Sequence, residues 1–137
     1  MSPEKIQALR KSLFLEVSEA AQTMGKCTSR CWQYWESGRS KSPESVNKNL
    51  QTTVNFRNKL ISLGKEDVKN ADLFNLKWYK SKDLFLQDYP FQNELSWRVY
   101  QSVVVAINIE FSSKTDLSTD GQVPESIHKL MTRVKAK

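Results

Sequence analysis

Ser18-Glu-Ala-Ala-Gln-Thr-Met-Gly25, a turn through Lys26 and Cys27, and Thr28-Ser-Arg-Cys-Trp-Gln-Tyr-Trp-Glu-Ser-Gly38 form the stretch whose reading decides the fold. The first part is a short helix, starting near Glu16 or Ser18, with Ala20, Ala21 and Met24 facing inward and Gly25 able to take the left-handed conformation that ends it. Thr28 is a good N-cap, and Gly38 stops a second short helix of about two turns, Ser29 to Ser37. That helix divides by face. Cys31, Trp32 and Trp35 form the apolar side that would hold it, whereas Ser29, Arg30, Gln33 and Tyr34 form a polar side. Trp32 and Trp35, three residues apart on the holding face, read as core. Glu36 is expected to pair with a basic side chain nearby, Arg10 being the candidate. Upstream, Ser2 and Pro3 start a first helix with Ile6, Leu9 and Leu13 at helical spacing.

Two short helices joined by a tight turn beneath a longer first helix make a helix-turn-helix. Beyond Gly38, Ser42, Pro43 and Ser45 mark a further helix, whose apolar stripe of Val46, Leu50, Val54, Leu60 and Ile61 ends at Gly64. The polar stretch from Gly64 to Asp72 reads as a hinge, giving two regions, 1–63 and 64–137. Leu73 to Tyr79 alternates as one short strand, and Ser81 caps a short helix through Gln87. Glu94 to Phe111 is apolar around most of its circumference and must be buried on several sides, either as core or as a dimer interface, with Trp97, Val104 and Ile107 as anchors. Within it Val103 to Val105 would also suit a strand, but the length favours helix. Ser112 to Gln122 reads as a polar loop, and Pro124 opens a terminal helix with a frayed basic end. The fold class expected is therefore mainly α, a helix-turn-helix bundle followed by a helical dimerisation region containing one short strand.

Composition bounds the function. With 137 residues, 39% hydrophobic and 10% aromatic, the chain can bury a core, and no apolar stretch reaches membrane-helix length. The first twelve residues lack a secretory pattern, so a cytoplasmic location is expected. The formal charge of +6 is uneven: Met1 to Leu63 carries 10 Lys/Arg against 5 Asp/Glu, and the remainder 11 against 10. A polyanion on the first half would account for that excess. Cys27 and Cys31, read as one turn apart on a helix, suit neither a structural disulfide nor zinc and are expected to be reduced thiols. His128 has no nucleophile or acid beside it in any motif. With no phosphate loop, paired carboxylates or metal spacing, neither enzyme activity nor cofactor nor metal is expected.

Val17-Ser-Glu-Ala-Ala and Trp32-Gln-Tyr-Trp-Glu-Ser-Gly-Arg39 resemble λ-repressor-like helix-turn-helix proteins of the Cro/C1 type. Ala21 and Gly25 stand four apart as in that pattern, and Trp35-Glu36-Ser37-Gly38 matches its Trp-Glu-x-Gly ending. Gly25 to Thr28 is one residue longer than the common turn. Lys77-Trp-Tyr, followed by Ser96-Trp-Arg-Val-Tyr-Gln-Ser-Val, is similar to the anti-CRISPR-associated autorepressors and their YdiL-like bacterial relatives. The resemblance implies a homodimeric repressor of its own operon, acting through an inverted-repeat operator in double-stranded DNA. It implies base contacts from Ser29, Arg30, Gln33 and Tyr34 and phosphate contacts from Ser18, Thr28, Arg39, Ser40, Lys41 and Ser42. The alternative is an antitoxin-like regulator that also binds a partner protein. RNA binding has no separate motif in the sequence.

Overall fold

The structure, a computed structural model, describes residues 1–133. Its elements in order are α1 (Pro3–Ser12), α2 (Val17–Ala20) continued by one π-helical turn (Ala21–Gly25), α3 (Ser29–Ser37), α4 (Glu44–Lys69), β1 (Phe74–Lys77), α5 (Lys82–Asp88), α6 (Glu94–Glu110), β2 (Thr115–Ser118) and α7 (Glu125–Arg133). The fold is mainly α, as expected. The chain divides into two compact units, Met1–Phe56 and the residues from Arg57 onward, so the boundary falls inside α4.

In the first unit, Ser2 caps α1 by accepting from the Lys5 amide at 3.1 Å, and Pro3 costs nothing at a position whose N–H would be unpaired. Phe14 closes α1 in the left-handed region, with φ 62°, a conformation a bulky residue adopts only under constraint. The constraint is the core on either side of it: Leu13 and Leu15 are both buried. Ile6, Ala20, Ala21, Met24, Trp32, Trp35, Val46 and Leu50 complete that core, each large aliphatic side chain contributing about 1.5–3 kcal/mol.

The turn corrects the sequence reading. Gly25 does not take the left-handed conformation; Lys26 does, with φ 52° and ψ 42°, and its amide returns to the Ala21 carbonyl. Gly25 is required for a different reason. A Cβ there would lie 2.8 Å from Cys27 Sγ, 3.1 Å from Trp32 Cε3 and 3.2 Å from Trp35 Cζ3, so the glycine lets the turn lie against the two indoles. The π turn takes in one residue more than an α turn, which accommodates the extra residue noted before Thr28. Cys27 therefore stands in the turn and not on a helix.

In the second unit α4 does not end at Gly64 but runs to Lys69. Gly64 is a close-approach residue: a Cβ would lie 2.5 Å from Ile107 Cδ1 and 2.9 Å from Ile127 Cδ1, so α6 and α7 both close down on the bare backbone there. The β-branched run 103–105 is helical, within α6. That helix starts with Asn93 and Ser96 capping one another's amides, at 3.0 and 2.9 Å. The expected strand is present as β1. Its partner β2 lies in the stretch read as a polar loop, paired in parallel from Phe74↔Thr115 to Lys77↔Ser118. The chain then crosses to the other edge of β1, where the Gln122 amide donates to the Asn75 carbonyl at 2.7 Å and the Lys77 amide to the Gln122 carbonyl at 2.9 Å. Gly121 makes the crossing possible, since a Cβ would sit 2.4 Å from the Leu76 carbonyl.

Trp97, Val104 and Ile107 are buried in their own chain. The Trp97 indole and the Gln101 amide both donate to the Tyr79 carbonyl, at 2.8 and 3.0 Å. Tyr79, Phe85, Tyr89 and Tyr100 form an aromatic cluster with ring centroids 5.2–6.3 Å apart. Burial pushes all three phenols well above their ordinary value. Helix α7 is tied on by Ser126, whose amide donates to Asp67 Oδ2 at 2.9 Å and whose hydroxyl donates to Oδ1 at 3.0 Å, and by the Tyr89 hydroxyl and His128 Nδ1 at 2.7 Å. The expected basic end lies at 134–137, outside the described residues.

Candidate nucleic-acid interface

Helix α3 is fixed from one side. Trp32 is fully buried and Trp35 nearly so, their rings 5.3 Å apart. Glu36, one turn beyond Trp32, accepts from the Trp32 indole N–H and from Arg10 at 2.6 Å through Nε and 3.0 Å through the second guanidinium nitrogen. Arg10 also donates to the Leu15 carbonyl at 2.9 Å. Burial pushes the Glu36 carboxyl up, but the hydrogen bonds from Arg10 and Trp32 and the Arg10 charge outweigh it and hold the carboxyl below its ordinary value. The expected Arg10–Glu36 pair is thus present, and it joins α1 to α3.

The start and end of α3 are also set locally. Thr28 Oγ1 accepts from the Cys31 amide at 3.2 Å, and Gly38 ends the helix in the left-handed region, with φ 81°. Because its Oγ1 acts as acceptor in the cap, the Thr28 O–H is left to donate outward.

What remains is the polar side. Ser29, Arg30 and Gln33 are exposed, and spacings of three and four residues put them on one side of the helix. Among the described residues, neither the Arg30 nor the Gln33 side chain has a hydrogen-bond partner. Tyr34 is half-buried, with the Arg39 guanidinium over its ring at 4.4 Å from the centroid. Ser18, Thr28, Arg39, Ser40 and Lys41 are exposed. Ser42 is not: it is 6% exposed and donates its hydroxyl to Asn47 Oδ1 at 2.7 Å, so its side chain is committed to the start of α4. Lys26, which the sequence reading passed over, is exposed in the turn directly before α3. Only its position marked it, since a lysine in a turn is otherwise unremarkable. Cys27 and Cys31 are free thiols, each half-exposed. None of the described helices is long and apolar enough to cross a membrane.

Helix α3 is thus gripped on one side by its indoles, and its hydrogen-bonding side chains Ser29, Arg30 and Gln33 stand in solvent on the other. The chain belongs to the Aca2/YdiL-like family, whose model matches residues 1–115. It is 38% identical over 103 residues to the Aca2 repressor of Pectobacterium phage ZF40, covering 75% of this chain and 89% of that one. To the uncharacterized protein YdiL of Escherichia coli K12 it is 27% identical over 109 residues, covering 78% and 92%. Helix α7 lies beyond the residues that the family model matches.

Proposed function

We propose that the chain is a sequence-specific transcriptional repressor that binds double-stranded DNA as a homodimer, with α3 in the major groove, and controls its own operon through an inverted repeat. The observation that carries this reading is the division of α3, whose Arg30 and Gln33 are exposed and unpartnered while Trp32, Trp35 and Glu36 lock its other side. Arg30 offers the fork that guanine O6 and N7 accept, and Gln33 the amide that pairs with adenine N6 and N7. Ser29 and Tyr34 flank them. Thr28 at the helix start, with Ser18, Arg39, Ser40, Lys41 and the added Lys26, supplies phosphate contacts that fix the register; Ser42 leaves that set. A related phage protein that bears the name repressor supports the regulatory part of the reading. Dimerisation is assigned to residues 73–111. Trp97, Val104 and Ile107 serve there as core, and the exposed Leu73 and Ile109, at 80% and 72%, supply the apolar contact.

The test is a competition titration of wild type and Arg30→Ala against the upstream inverted repeat, the same repeat with its half-sites moved apart by half a turn, and random duplex. Arg30→Ala should lose about 1–3 kcal/mol per half-site on the cognate DNA and little on random DNA. Half-sites belong about 34 Å apart or a small multiple of that, so the half-turn duplex should bind far more weakly. Equal losses on cognate and random duplex would make Arg30 a phosphate contact.

A further inference from the structure

The chain just past α3 is folded back onto the helix. Gly38, in the left-handed conformation, turns it, and its amide donates to the Trp35 carbonyl at 3.4 Å. The Tyr34 carbonyl then accepts from the Ser40 amide at 3.2 Å and from the Ser37 hydroxyl at 3.2 Å, while the Arg39 amide donates to Ser37 Oγ at 3.4 Å. These bonds bring the Arg39 backbone back to the turn of helix that carries Tyr34, and the side chain follows. Its guanidinium carbon lies 4.4 Å from the centroid of the Tyr34 ring. Glu36 is committed to Arg10 and Trp32, so no acid of α3 competes for Arg39. Tyr34 follows Arg30 by four residues, which puts the two on the same side of the helix. Among the described residues, neither the guanidinium of Arg39 nor the phenol hydroxyl of Tyr34 has a hydrogen-bond partner, and Arg39 is exposed.

We propose that Arg39 and Tyr34 work as one stacked unit in the DNA recognition assigned to α3, Arg39 pinning the Tyr34 ring for base reading while the edge of its guanidinium takes a phosphate. This rests on the proposed function, which counts the two as separate contacts, and it adds a positioning role for Arg39. A guanidinium is planar. Its face lies on an aromatic ring through the ring quadrupole and its edge carries the N–H donors, so one side chain can make both engagements at once. Seating on the DNA backbone then fixes the aim of Tyr34, and Arg39 contributes to the choice of sequence although it touches no base. Lysine offers a phosphate the same charge but has no plane to lay on the ring. The stacked contact is exposed, so its expected contribution is about two- to fivefold in affinity per half-site, or about five- to thirtyfold on an operator with two half-sites.

The experiment titrates the whole chain against the upstream inverted repeat and a random duplex of equal length, over a range of salt, as wild type and as Arg39→Lys, each with Tyr34 kept or replaced. Arg39→Lys should keep the wild-type affinity for random duplex and an unchanged slope of log affinity against log salt, because the charge facing the phosphate remains. On the inverted repeat it should lose about five- to thirtyfold. In the Tyr34→Leu background, which keeps apolar bulk without a ring face, the same lysine change should have no effect on either duplex. In the Tyr34→Phe background, which keeps the ring, the cognate loss should return. No cognate loss, equal losses on both duplexes, or a cognate loss that persists in the Tyr34→Leu chain would overturn the coupling and leave Arg39 a plain phosphate contact, with the DNA reading intact. A wild-type chain with no preference for the inverted repeat over random duplex would instead overturn the DNA reading, and the coupling with it.

Discussion

Gly64→Ala sets two known effects against each other at one atom. Gly64 is in the interior of α4, where alanine is favoured over glycine by about 0.8–1 kcal/mol. The added methyl would sit 2.5 Å from Ile107 Cδ1 and 2.9 Å from Ile127 Cδ1, and both isoleucines are fully buried, which leaves them little room to change rotamer. Overpacking of this kind costs about 1–3 kcal/mol. The clash offsets or exceeds that gain, and the variant should be destabilised by up to roughly 2 kcal/mol in urea unfolding, with an unchanged dependence on denaturant. The partner in the clash is identified by a cycle. Ile107→Val removes the Cδ1 atom at a cost of about 0.5–1.5 kcal/mol alone, so in the double variant part of the alanine penalty should disappear and the two effects should add to less than their sum. A Gly64→Ala chain more stable than wild type by about 1 kcal/mol, the bare propensity gain, would refute this account of why α4 carries a glycine.

Glu36→Gln should cost about 3–5 kcal/mol, because Arg10 then remains almost buried without its counter-charge; thermal or urea melts of the isolated variant measure it. The pH dependence has a definite sign: Glu36 sits below its unfolded value, so its stabilisation is complete above about pH 4.3 and is lost as pH falls through the folded value. Melts from neutral to acid pH should show wild type falling in that window, with the Gln variant missing that share of the fall. Lys41→Ala should weaken cognate and random duplex alike and make log affinity against log salt shallower by about 0.9, and a titration with unchanged slope would remove Lys41 from the phosphate contacts. Light scattering at micromolar concentration should give the mass of a dimer; a monomer mass would dismiss the assignment of residues 73–111.

The parts of the fold legible in the sequence were those set by neighbours in the chain. Ser2, Thr28 and Ser81 accept amides three residues on, Gly38 takes the left-handed turn, and Trp32 and Trp35 fall on the buried side by helical spacing alone. The Arg10–Glu36 pair was legible because α3 offers only one acid next to its indoles. Two of the misreadings share a cause. Glycine serves either a left-handed turn or a close approach, and Gly25 and Gly64 both serve the second, which depends on side chains arriving from elsewhere: Trp32 and Trp35 in one case, Ile107 and Ile127 in the other. Strand β2, Thr115-Asp-Leu-Ser118, has little strand character and exists because β1 pairs with it. Cys27 was placed on a helix because a π turn and a left-handed lysine leave no composition signature.

The two-edged support of β1 also sets a schedule for the chain as it is synthesised. Phe74 to Lys77 take their hydrogen bonds from Lys114 through Ser118 on one edge and from Gln122 on the other, so a strand made early has no neighbour until about forty further residues have been added, at 5–20 residues per second. The core of the first unit, by contrast, draws on residues within Met1–Phe56, and that unit emerges first. Each nascent molecule therefore passes through an interval in which the α3 region is complete while β1 is an open edge, the form of strand most ready to pair with another chain. Substitutions at Gly121, where the Leu76 backbone leaves no space for a side chain, would lengthen that interval. Their symptoms should be aggregation during expression together with lower stability in the molecules that do finish folding.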